Sequence, residues 1–200
     1  MQKSIKGMGT AFGAALAITA IILALQGTDN KATRLALELT ARFSFVLFWL
    51  AYAGGAIATL FRVDALAGRG REFGLAFAAA HLVHVGLVIW LGYLMGRVPL
   101  SGGLLLFFLA GLVFTYLLAF LSFGGASTLG SLWRPLRFVG MNYILIAFGR
   151  DFVLPVLQPK PTQYNAAHYL AYAPFAAASI LAPLLVLAVT LRHRAVLKTA

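Results

Sequence analysis

Apolar residues along this chain come in six runs, and charged, glycine-bearing or proline-bearing segments separate them. The runs cover about residues 9–25, 43–61, 72–95, 104–123, 138–157 and 169–191. Each is close to the ~20 residues that an α-helix needs to cross a bilayer. Backbone polar groups in lipid are satisfied only within helices or closed barrels, and these runs lack the period-2 alternation of a barrel strand. The pattern therefore predicts an all-α, polytopic membrane bundle of six transmembrane helices forming one domain over residues 1–200. Between the runs lie a polar connector at 27–42 (GTDNKATRLALELTAR), a basic loop at 62–71, a proline turn at 96–103, a glycine-rich loop at 124–137 and a proline-punctuated segment at 158–168. Within the first connector, LALEL has the character of an interfacial helical turn.

Composition supports the membrane assignment. The 200 residues are 62% hydrophobic and 10% charged, against about half and about a quarter in ordinary soluble domains. A net charge of +11 would suggest nucleic acid for a soluble chain. Here the basic residues sit in loops and at helix ends, so they are expected to set membrane orientation, with the lipid bilayer as partner and no nucleic acid. Ten Lys and Arg fall on one side of the six-span layout and six on the other. The positive-inside rule then puts both termini in the cytoplasm, for a multi-pass protein of a bacterial inner membrane. Lys3 and Lys6 before the first run resemble a leader's basic end, but the run is longer than a typical leader core and is expected to be a retained span. With no cysteine, thiolate metal sites, disulfides and cysteine nucleophiles are excluded.

The third run carries the most informative side chains. His81 and His84 are three residues apart, so they share one side of a helix, and His84 is ~18 Å from Glu72, near the middle of a ~30 Å hydrocarbon core. Ionisable groups at such depth usually face a bundle interior and mark function. Neutral imidazole is a ligand for haem iron, zinc or copper, and the alternative is hydrogen bonding to groups on other helices. Arg137 and Arg150 bracket the fifth run, ~20 Å apart on a helix. They suit either anion binding or headgroup contact, and Arg150 has Asp151 beside it for an ion pair. His168 precedes the sixth run. Trp90, Tyr93, Trp133 and Tyr143 suit aromatic belts. None of the five acids is expected deep in a span, which disfavours a carboxylate proton relay, and no hydrolytic constellation is visible.

Two segments carry a family resemblance. Arg69-Gly-Arg-Glu-Phe-Gly74 leads through Leu-Ala-Phe77 to His84, and Ser127-Thr-Leu-Gly130-Ser-Leu-Trp-Arg134-Pro-Leu-Arg137 precedes the fifth run. Over about residues 40–190 the chain resembles the ferric-reductase-like transmembrane domain, and within it the haem-binding membrane subunit of the bacterial methionine-sulfoxide reductase system. The resemblance implies b-type haem with His84 as iron ligand, electrons taken from a cytoplasmic flavin or from quinol, and a redox partner protein. It departs from the family where Arg137 and Arg150 stand in place of the fifth-span histidines, since arginine has no lone pair for iron. A second ligand would then come from His81, His168 or Met141, with the arginines pairing with haem propionates. The alternatives are a haem-free relative serving as a structural or interaction subunit of a larger membrane complex, and a permease for a small molecule or lipid.

Overall fold

The computed structural model describes residues 2–159 and 165–199 and is helical nearly throughout, with no strand among them. Six helices are long and apolar enough to cross a membrane. They are α1 (Gln2–Gln26), α2 (Asn30–Phe61), α3 (Gly70–Met95), α4 (Gly102–Ser122), α5 (Trp133–Leu157) and α6 (Ala166–Thr199), with short 3-10 turns at Asp64–Leu66 and Gly125–Leu132. Residues 160–164 of the proline-punctuated connector, Lys160 among them, lie outside the described residues.

The expected connector at 27–42 is the main correction. Gly27, at φ 89°, ends α1, and the Asp29 carboxylate accepts a 2.8 Å hydrogen bond from the Ala32 N–H, starting α2 only three residues later. The helix then runs unbroken for 32 residues, ~48 Å, well beyond a ~30 Å hydrocarbon core. Charged residues lowered the hydropathy of 27–42 without breaking its helix. Arg34, Glu38 and Arg42 recur every four residues on one side, while Ala32, Thr33, Ala36 and Thr40 are buried on another. Glu38 and Asp151 lie within helices of membrane length, with their side chains about half exposed.

Packing divides the bundle unevenly. Helix α3 lies against α1 and α2 along much of its length but meets α4 over only a short stretch, while α5 packs on α4 and α6, and α6 on α2. The α1–α3 contact is built from Ala11 and Ala15 against Ala76, Ala80 and Val83. Small side chains let helices approach closely where lipid removes the hydrophobic drive to associate. Gly140 does the same for α4 and α5, since a methyl there would come within 2.9 Å of Leu118 Cδ1. Phe45, Phe48, Phe77, Phe148, Phe152 and Phe175 form a continuous cluster of ring contacts joining α2, α3, α5 and α6. Interhelical hydrogen bonds add direction: Trp49 Nε1 donates to the Ala178 carbonyl at 2.9 Å, Tyr52 to Asn142 Oδ1 at 2.9 Å and Tyr143 to the Phe107 carbonyl at 3.0 Å. Tyr143 is therefore an α4–α5 tie, whereas the stacked Trp90 and Tyr93 remain at the surface.

Candidate ligand cavity beside His84

Where α3 and α4 part, a cavity of about 900 Å³ opens among α2, α3, α4 and α5. Its walls are mainly Leu, Val, Ile and Phe, with Thr115 and Gly111 among the few small groups. Ligand sites for molecules of drug size or somewhat larger have this volume and this apolar character, with a few placed polar groups. Here those groups are His81, His84, four arginines (34, 42, 97 and 150), Glu38, Asp151 and Tyr172.

The two imidazoles are held differently. Thr40 Oγ1 donates to the Ala36 carbonyl at 2.8 Å, the i−4 pattern of a helical threonine, and lies 3.3 Å from His84 Nδ1. With its proton committed to the shorter bond, Thr40 accepts from His84. Nδ1 then carries the hydrogen and Nε2 the free lone pair, a tautomer assigned from the bonding network. An anchored Nδ1–H with Nε2 available is how a metal-binding histidine is normally oriented. His81 stacks on His84, centroids 5.4 Å apart at 24°, and contacts Phe77, Tyr116 and Phe148. Its Nδ1 and the Tyr116 hydroxyl are buried without hydrogen-bond partners among the described residues.

The Thr40–His84 bond also fixes a level. Arg42 is two residues, ~3 Å along the axis, from Thr40, so its Cα stands at nearly the depth of His84 rather than at a span boundary. It pairs with Glu38 at 3.3 Å, its guanidinium lies 5.1 Å from the centre of the Tyr172 ring, and its Nε is buried without a hydrogen-bond partner among the described residues. Arg150 pairs with Asp151 at 3.1 Å and lies over Phe108. Arg97 is placed by the end of α3: the Arg97 N–H reaches the Gly92 carbonyl at 3.2 Å and the Gly96 N–H reaches Tyr93 at 3.1 Å, with Gly96 at φ 61°. This motif turns the chain back across Gly92, where a methyl would meet Pro99 Cδ at 3.2 Å. Arg34 contacts Met95 Sδ at 3.5 Å. Four arginines against two carboxylates leave the polar lining with a formal charge of +2.

Of the residues expected to form a site, the structure brings His81, His84 and Arg150 together. Arg137 is exposed near the start of α5, at the far end from Arg150, and does not line the cavity. His168 also lies apart. Its Nε2 donates to the Pro155 carbonyl at 2.9 Å, a group that a continuing helix would pair with residue 159, which is proline and has no N–H. Its own backbone N–H donates to Asn165 Oδ1 at the start of α6. Arg34, Glu38, Arg42, Arg97 and Tyr172 were not singled out from the sequence; the four-residue spacing of the first three was the available signal.

A haem is the cofactor the family resemblance implies, and the lining fits one held from a single face. His84 is anchored through Nδ1 in an apolar enclosure, whose polar lining includes Arg42 and Arg150, each paired with a carboxylate. The α4 and α5 lining is apolar apart from Thr115, Arg150 and Asp151, and no histidine or methionine is among it. His81 stands beside His84 rather than across from it, and neither Met141 nor His168 lines the cavity. Among the described residues no group of three or more His, Asp or Glu is assembled for a bare metal ion. Comparison with protein-family models, with curated proteins and with solved structures found no match to this chain.

Proposed function

We propose that this chain is a membrane-embedded b-type haem protein of the ferric-reductase-like kind, passing electrons across the membrane, with His84 the residue that would hold the haem iron. The observation that carries this reading is the His84 imidazole, anchored on Thr40 through Nδ1, in the wall of an apolar cavity large enough for a macrocycle. Bound there, haem would supply reversible one-electron chemistry at iron. The chain's own contribution would be to orient the His84 ring and to surround the macrocycle with leucine and phenylalanine walls, with Arg42 and Arg150, each paired with a carboxylate, in the polar lining. Electrons would come from a flavin or a quinol through a partner protein or the bilayer.

Orientation gains support from the cavity. Of the six Lys and Arg on the less basic side, Arg34, Arg42, Arg97 and Arg150 line the site, so ligand contact accounts for them. Discounting them leaves the ten opposite more dominant, in favour of cytoplasmic termini in a bacterial inner membrane.

The test is the visible spectrum of protein purified after haem-supplemented expression, oxidised and then reduced with dithionite. We expect a Soret band that shifts on reduction, is lost in His84→Ala and persists in His81→Ala. A well-folded wild-type protein with no Soret band would overturn the reading.

A further inference from the structure

The cavity is open along its side as well as at its polar end. Ile89 on α3 and Leu109 on α4 both line it and are exposed on the bundle surface, 68% and 44% respectively. They flank the line where α3 and α4 separate, within two helices of membrane length and high hydropathy. A soluble ligand gains nothing from a lateral slot with such edges, whereas a lipid chain enters it directly from the bilayer. Val85, Val88, Leu105 and Leu112 continue the apolar track inside.

The same track leads to cations. Arg97 is held over the cavity by the turn that ends α3, and Arg34 sits at the exposed start of α2. Neither makes an ion pair among the described residues, while Arg42 and Arg150 are already matched to Glu38 and Asp151. The uncompensated charge is thus concentrated at the rim, beside the entrance of an apolar slot. Arginine at such a place binds phosphate oxygens through paired N–H groups.

We infer that the slot between α3 and α4 binds a membrane lipid with an anionic phosphate headgroup, its head on Arg34 and Arg97 and an acyl chain along the cavity wall. The proposal needs no haem at His84, and Leu105, Leu109 and Leu112 would border both ligands in the one cavity.

The test is native mass spectrometry of the full chain released from nanodiscs containing phosphatidylcholine with a minor fraction of phosphatidylglycerol of matched chains. Retained phosphatidylglycerol is expected to exceed its bilayer share by about tenfold. That enrichment should fall to near parity in Arg34→Gln/Arg97→Gln, while Lys3→Gln/Lys6→Gln keeps it. Equal retention of the two lipids by the wild type, enrichment unchanged in the arginine variant, or displacement by inorganic phosphate would each overturn the proposal. The wild-type lipid comparison stands even where the arginine variant fails to fold. A visible spectrum of the same sample reports on haem separately, so loss of one reading is distinguishable from loss of the other.

Discussion

The two flanks of α3 are built to opposite ends. Toward α1 it presents Ala76, Ala80 and Val83 to Ala11 and Ala15, and Ala15 and Ala80 have no exposed surface at all. Toward α4 it presents His81, His84, Val85 and Val88 to open space. Close packing on one flank requires small residues and tolerates little change, because added atoms have nowhere to go. The other flank carries branched side chains and two imidazoles that border the cavity, His84 tied to Thr40 of α2 and His81 in ring contact with Tyr116 and Phe148. The closed flank therefore fixes the helix that the open flank uses to hold a ligand, and the pair of hydrogen bonds Ala36–Thr40–His84 transfers that rigidity to the imidazole.

Adding bulk to each flank separates them most sharply. Ala80→Leu is expected to destabilise the bundle by about 1–3 kcal/mol, read as a fall in folded yield and melting temperature in detergent. Next in size is Thr40→Val, which keeps the shape of the residue but removes the acceptor at His84. Ligand affinity at His84 should weaken about 10–100-fold with little change in melting temperature, measured by titration of purified apoprotein with haemin. His168→Ala tests a tie remote from both flanks. It leaves the Pro155 carbonyl without its partner, for an expected loss of about 1 kcal/mol by thermal unfolding and unchanged haemin affinity. The smallest effect on folding is expected of Val88→Phe, which fills the open flank. Stability should stay within about 0.5 kcal/mol of wild type, and the lipid enrichment described above should drop. Equal penalties for Ala80→Leu and Val88→Phe would remove the distinction between the two flanks.

The six helices were legible because lipid demands long apolar runs, and their lengths survive any detail of packing. The histidine pair was legible for a similar reason: spacing of three on one helix is a local property. Arg42 was not, because a hydropathy window ends a span at the first cluster of charge, and Asp29, Lys31, Arg34, Glu38 and Arg42 form such a cluster. Reading their four-residue spacing as one side of a helix would have carried α2 back to its Asp29 cap. Arg137 and Arg150 looked equivalent as brackets of one run. Only the tertiary arrangement distinguishes them, since the cavity reaches the Arg150 end of α5 and not the other. The role of His168 required knowing that Pro159 leaves a carbonyl unpaired next to the start of α6.

The most direct test of the site is the protonation pattern of its central ring, which nitrogen-15 NMR of histidine-labelled protein in bilayers reads without any ligand. The expected result is a neutral His84 with hydrogen on Nδ1 and a bare Nε2, and a signal that shifts in Thr40→Val while that of His168 stays fixed. A His84 with hydrogen on Nε2, or one indifferent to Thr40→Val, would mean that the ring is not held ready for a ligand, and the cavity would lose its central group.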